Sequence, residues 1–420
     1  MSERREFFRY VLPSVAAFAL SGVYCIVDGY FVGNRLGDLG LAAINLAYPV
    51  AAFFSAAGTG IGLAGAIRFA ILRSQGHERE SVRCFSGAVL LLIAASALLM
   101  ALVLAFAVPL LRLLGAEGEV LAPAVEYTRA IASGAFMQVL GTGLVPFIRN
   151  LGGAGFAMVT MCSGFITNVV LDFLFVWVFG WGMAGAAWAT VLGQAVTALL
   201  AAGYLTVKRA GLARPGGFGP ILKLSLAPFG LTFSPQITAI FMNRALMAYG
   251  GDRAVAVYSC IAYVIYIAYL LLQGVGDGSQ PLISRYFGEG RPDSLKRARS
   301  LAYISAAVVA GLCVLGLFLL RGGVGALFGA SAETNADTAD ILPLFLVPLL
   351  PLAYVRVTIS WLCATARAGL SYVLVYAEPV LTLCLLAFMP GLMELGVWLA
   401  VPAAQVITFA AAVIIKRRLG

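Results

Sequence analysis

Apolar residues run along this chain in stretches of about 20 to 28 residues, separated by short segments rich in Arg, Lys, Gly and Pro. Stretches of that length cross hydrocarbon as α-helices; strands of a membrane barrel would alternate apolar and polar positions instead. The pattern predicts twelve helices, at residues 8–32, 41–70, 83–110, 119–147, 154–180, 184–207, 221–248, 254–283, 299–320, 338–365, 369–390 and 394–415. The expected fold class is an all-α integral membrane protein. Composition agrees, with 61% of the 420 residues hydrophobic and 11% charged, where a soluble protein is about half apolar and about a quarter charged. Mean hydropathy is +0.96.

The net charge of +9 does not point to nucleic acid, because the basic residues are sorted by side. If the N-terminus is cytoplasmic, 21 of the 28 lysines and arginines fall on that side and four (Arg35, Arg112, Arg253, Arg321) on the other. The positive-inside rule then puts both termini of a multi-pass membrane protein in the cytoplasm. Ser2–Arg9 and Ala17–Ala19 resemble parts of a signal peptide, but the apolar run continues to Phe31, so cleavage is not expected. The seven cysteines show no CxxC and no pairing with the single histidine, His77, so they read as packing residues.

The chain repeats itself. A shift of 214 residues sets Leu36-Gly37-Asp38 on Gly250-Gly251-Asp252, Gly60-x-Gly62 on Gly274-x-Gly276, Gly76 on Gly290 and Arg83 on Arg297. Two six-helix bundles of like orientation are expected, 1–207 with a cation site and 221–420, joined by a cytoplasmic linker at 208–220. Parallel repeats about an axis along the membrane normal are a transporter architecture, with substrate between the halves.

Asn168 and Asp172, four apart in the apolar run Phe156–Phe179, share one helix face. A carboxylate is costly in hydrocarbon, which makes it a functional candidate; the structural alternative is a polar contact between helices. Asp28, Asp172 and Thr190 each fall roughly 8–12 Å below the outer surface at ~1.5 Å per residue. Together with Asn168 they form an all-oxygen set suited to Na⁺ or a shared proton. Arg356 and Glu378 match in depth and are expected to pair, either structurally or as a second coupling element. Glu126 and Arg129, three apart, are expected to pair with each other. Arg244 reads as snorkelling, Asp277 as a solvated helix-end residue, and Pro13 as a kink in the first helix. Gly60-Ile-Gly-Leu-Ala-Gly65 matches GxGxxG but follows no strand, so it reads as close helix packing. No Walker loop, HExxH or GxSxG is present, so neither an enzyme nor an ATP-driven pump is indicated, and no cofactor beyond the coupling ion.

Asp28-Gly-Tyr-Phe-Val-Gly-Asn-Arg-Leu-Gly-Asp-Leu-Gly-Leu-Ala-Ala-Ile-Asn-Leu-Ala-Tyr-Pro49 resembles the first-helix signature of the multidrug and toxic compound extrusion (MATE) family. Gln273-Gly-Val-Gly-Asp-Gly-Ser-Gln-Pro-Leu-Ile-Ser-Arg-Tyr-Phe-Gly288 resembles its counterpart in the second half, in the style of the bacterial multidrug-efflux branch. The resemblance implies two six-helix bundles around a V-shaped cavity and exchange of organic cations for inward Na⁺ or H⁺. It places the cation site at Asp28, Asn168, Asp172 and Thr190, and matches Pro13 to the family's helix-1 proline. One departure is helix 7, where some members carry a Glu and this chain has Asn243 and Arg244.

The leading expectation is secondary antiport of small organic compounds by a monomer in the lipid bilayer, with no nucleic-acid partner. Candidate cavity walls are Tyr24, Met158, Met161, Phe165, Phe241 and Met242, since Met and aromatic faces accommodate varied ligands. The alternatives are a flippase for a lipid-linked precursor or an exporter of an anionic metabolite, for which Arg129, Arg244 and Arg356 would supply positive charge. A non-transporting receptor or scaffold would leave the paired carboxylates without a role.

Overall fold

The computed structural model describes residues 3–208, 210–391 and 395–419, without the side chains of Cys25, Ile26, Asp28, Tyr30, Val32, Asn34 and Asp38. The described chain is helical throughout its spans. Backbone groups in hydrocarbon find no water, and a helix satisfies them within one segment. Helices α1 and α2 (3–36 and 38–74) are one continuous run, Glu3–Ser74, broken at Gly37. Then follow α3 (Glu78–Leu113), α4 (Gly118–Ser133 and Ala135–Asn150, bent by 57°), α5 (Ala154–Val178) and α6 (Gly182–Val207). The second half repeats the plan. Helices α7 and α8 (218–250 and 252–288) share the run Phe218–Gly288, broken at Gly251. After them come α9 (Pro292–Leu327), α10 (Ala332–Leu346 and Leu349–Ala364, bent by 47°), α11 (Ala368–Gly391) and α12 (Gly396–Leu419).

The repeat extends to backbone detail. Gly37 has φ 66°, ψ −165° and Gly251 has φ 65°, ψ −164°, a region essentially reserved for glycine. One such residue turns the chain from one span into the next without a loop. The bend of α4 falls at Gly134 and that of α10 at Val347–Pro348, again about 214 apart. Neither bend is part of the sequence expectation, which gives each as one helix. Pro13, where a kink is expected, lies inside the helical run Glu3–Ser74.

The halves meet along α1, α2, α7 and α8, and glycines set the spacing. A Cβ on Gly274 would stand 2.8 Å from Val15 Cα, and one on Gly278 would stand 2.7 Å from Val11 Cα, so α8 lies backbone to backbone on α1. A Cβ on the repeat-related Gly60 of α2 would stand 2.9 Å from Ser225 O of α7. The GxGxxG segment is thus a packing surface, as read. One large apolar core joins both halves at the end carrying the termini, whereas a separate core of Met242, Leu246, Ile261, Phe345 and Val401 belongs to the second half alone. The halves therefore share an apolar core at the basic end.

Substituting Gly278→Ala should cost about 1–3 kcal/mol, because the added methyl meets backbone on a partner that cannot yield. Gly203, which has nothing within 4 Å, is the control: Gly203→Ala should be neutral or stabilising by up to about 1 kcal/mol. Melting temperatures of the two variants in detergent check the contrast.

Candidate functional site

Helices α5 and α6 approach closely because Gly164 and Gly193 face each other. A Cβ on Gly193 would lie 2.9 Å from Asn168 Cβ, and one on Gly164 would lie 2.8 Å from Gly193 O. That contact brings Asn168 against Thr190, with Asp172 one turn along the same helix. Asn168 is buried and Asp172 wholly so. With both ends of the amide satisfied, Asn168 Nδ2 donates to Asp172 Oδ2 at 3.0 Å, and Oδ1 accepts from Thr190 Oγ1 at 3.3 Å and from the Thr190 N–H at 3.0 Å. Thr190 Oγ1 also lies 3.1 Å from Ala186 O. Its single proton serves one acceptor at a time.

Three of the four expected site residues therefore stand together; the fourth, Asp28, lies outside the described side chains. The donor set suits a hard cation or a proton. With its amide nitrogen turned to Asp172, Asn168 must rotate before both oxygens can face one ion. Immediately after Asp172, residues Phe173–Val178 wind as a π-helix, a rare feature that recurs at functional sites. Among the described residues, no cluster of three or more His, Cys, Asp or Glu side chains forms a metal site.

Tyr24 of α1 stacks on Phe165 of α5, with centroids 5.3 Å apart and planes 12° apart. Met158, Met161 and Phe241 are half-buried. Met242 is not a cavity wall here: it is fully buried in the second half's apolar core, one helical turn from Leu246.

The second group of polar residues differs from expectation. Asp277 is not a solvated helix end. It is buried and ion-paired to Arg149 of α4, with Nη1 to Oδ2 at 3.2 Å, across the two halves. Arg149, grouped by sequence among the basic loop residues, is equally buried and also reaches Met161 Sδ at 3.2 Å. Next to this pair, Asn150 Nδ2 donates to Gln280 Oε1 at 3.0 Å and Gln280 Nε2 returns a bond to Asn150 Oδ1 at 3.3 Å. Nearer the surface, Glu6 holds Arg285 at 2.8 Å and accepts from Tyr286 at 3.1 Å. Glu3 accepts from Ser294 at 2.7 Å and pairs with Arg291 and Arg297. The Ser294 hydroxyl and the two guanidiniums hold the Glu3 carboxyl below its ordinary range, so this contact persists until the pH falls below the usual carboxylate values. Among the described residues, these contacts close the basic end in three layers.

Arg356 and Glu378 form no direct ion pair. Glu378 accepts from Gln405 Nε2 at 2.8 Å. Arg356 Nη1 reaches Leu231 O and Gln273 Oε1, each at 3.5 Å, and the guanidinium lies 5.0 Å over the Tyr269 ring. The two residues instead line one narrow cavity with Ser234, Val355 and Leu374. Glu126 and Arg129, expected to pair, are both exposed and form no ion pair among the described residues. Arg244 is exposed.

Comparison with known families bears on this arrangement. The MatE family model matches twice, over residues 13–174 and 229–385. The chain belongs to the MatE family. The double match follows the two halves of the fold. The multidrug export protein MepA of Staphylococcus aureus (strain MSSA476) is 24% identical over 361 residues, spanning 82% of this chain and 78% of MepA. MepA of Staphylococcus haemolyticus is 24% identical over 359 residues, with the same shares covered. A solved structure described as the outward-facing conformation of a multidrug resistance MATE family transporter of the MOP superfamily superposes at a TM-score of 0.92. It has 23% identity and covers all of this chain and 96% of that one. A MOP superfamily transporter from Pyrococcus furiosus, for which reverse polarity of the binding pocket suggests a different function, gives the same TM-score, identity and coverage. At these identities the structural likeness establishes the fold. This MatE chain is a multi-span membrane transporter.

Proposed function

We propose that this MatE transporter is a secondary antiporter of the bacterial cell membrane, exporting small organic compounds in exchange for inward Na⁺ or H⁺. The reading is carried by one observation: a carboxylate with no solvent exposure, Asp172, held beside Asn168 and Thr190 within membrane-spanning helices. Asp172, Asn168 and Thr190, with Asp28 of α1, bind the coupling cation in the bundle 1–207. Both termini and the basic loops lie in the cytoplasm, and substrate occupies the cleft between this bundle and 221–420. The basic end closed by Arg149–Asp277 is then the cytoplasmic side, so the conformation opens outward. The names of the staphylococcal relatives support organic multidrug substrates.

Arg356 sustains a second reading. A buried guanidinium beside the inter-bundle cleft favours an anionic metabolite or lipid-linked precursor. The test is ethidium efflux from proteoliposomes under separate Na⁺ and pH gradients. Efflux under one gradient and not the other is expected. Absent efflux, together with transport of a carboxylated dye or scrambling of a lipid-linked sugar, would transfer the proposal to the second reading.

A further inference from the structure

A buried polar chain runs from the contact between the halves to the interior of the second half. Arg149 pairs with Asp277 at 3.2 Å, and Asp277 Oδ1 accepts from Gln273 Nε2 at 2.7 Å. Gln273 Oε1 accepts from Arg356, Arg356 lies over Tyr269, and Tyr269 OH contacts Gln405, which donates to Glu378. Arg356 lines two cavities, one shared with Asp277 and the other with Glu378. It therefore stands between two carboxylates of its own half without pairing directly to either. Only its Nη1 donates to a neighbour among the described residues, and both bonds are at the long limit.

This arrangement resolves a charge problem inherent in opening the basic end. Separating the halves pulls Arg149 away from Asp277, and a buried carboxylate stripped of its partner is strongly disfavoured. Arg149 moves into the opening and is hydrated, but Asp277 stays inside its own half. Arg356, on the same cavity, is the cation placed to take it over. The move would in turn deprive Glu378 of its nearest positive charge. Among the described residues, the other ionisable groups near Glu378 are Tyr258 and Tyr269 of α8; neither can supply positive charge.

We propose that Arg356 exchanges carboxylate partners during transport, and that Glu378 is a proton-binding site whose occupancy releases the Arg149–Asp277 lock. With Glu378 ionised, Arg356 is held near it and Asp277 is left to Arg149. With a proton on the Glu378 carboxylate, Arg356 passes to Asp277, and Arg149 is freed. Charge balances in both states: two cations face two anions when locked. When open, one cation faces one anion, with neutral Glu378 and a hydrated Arg149. The direction matches inward proton movement, since proton binding favours opening on the basic side. The proposal rests on the antiport reading for its purpose, but its test does not depend on transport.

Gly155 of α5 and Gly369 of α11 are repeat-related, exposed, and have nothing within 4 Å. Spin labels on Gly155→Cys and Gly369→Cys, in a background with the seven native cysteines replaced, report separation of the halves. The background carries Asp28→Asn and Asp172→Asn to silence both carboxylates of the first bundle's site. Double electron–electron resonance from about pH 8.5 to about pH 5, a range in which buried carboxylates titrate, should show a growing longer-distance population. Glu378→Gln should show that population at every pH, and Arg356→Gln at none. Gln405→Leu, which removes the hydrogen bond favouring the ionised form, should move the midpoint to higher pH, a shift that a purely structural role would not produce. A pH response unchanged by Glu378→Gln, or no response in the parent, overturns the proposal. If the distances respond but ethidium is not transported, the antiport reading fails and the proton switch stands.

Discussion

Asp172→Asn should abolish gradient-driven efflux while leaving the protein at least as stable as the wild type. The carboxylate has no solvent exposure and sits among membrane-spanning helices, where an ionisable side chain costs about 2.5–3.5 kcal/mol on insertion scales. The amide has the same shape and no charge. It keeps the contact with Asn168 through its own oxygen, so packing against Gly193 and Thr190 is undisturbed. A residue retained for structure alone would lower the melting temperature when its charge was removed. One retained to bind a cation raises it and loses transport, the usual exchange between stability and activity. Efflux in proteoliposomes should fall by at least about tenfold, equivalent to about 1.4 kcal/mol or more of lost coupling. Thr190→Val, which removes one oxygen and keeps the volume, should be intermediate. Wild-type efflux in Asp172→Asn would remove this cluster from the mechanism.

The local part of this site is legible because its physics is local. Asn168 and Asp172 share a face by helical spacing, and Thr190 joins them by equal depth along a neighbouring helix. The twelve spans follow from apolar run length, and Gly37 and Gly251 mark their breaks because only glycine occupies that conformation. The π-turn after Asp172 left no signal, since Phe173–Val178 reads as ordinary apolar helix. Arg149 was grouped with the loop arginines because it lies at the end of an apolar run, where position favours a snorkelling cation. Its partner Asp277 is 128 residues away on the other half, and no periodicity encodes such a pairing. Depth alone also misjudged Arg356 and Glu378, which share a level and a cavity while hydrogen-bonding to different neighbours. Met242 shows the reverse error: a Met on a helix near the cleft has the composition of a cavity wall, but one turn of helix decides whether it faces the cleft or Leu246.

Breaking the Arg149–Asp277 pair from one side should be far more damaging than removing it from both. Each partner is more than nine-tenths buried at the contact between the halves. Arg149→Met or Asp277→Leu alone leaves a buried charge uncompensated, at a cost of about 3–5 kcal/mol. Arg149→Met with Asp277→Leu replaces both charges by apolar groups of comparable size and should recover most of that stability. The double-mutant cycle should then give a coupling energy at the upper end of the range of about 0.5–3 kcal/mol found for residues in contact. Transport should not recover with stability. A lock made of charges releases when another charge competes for one partner, and Arg356 has no hold on a leucine. The stabilised double variant should stay closed at the basic end and export poorly, while each single variant should favour the open form. Melting temperature and efflux, measured on the same four proteins, separate the two roles. Recovery of both in the double variant would make the pair a packing element and leave Gly274 and Gly278 to close the seam by shape alone.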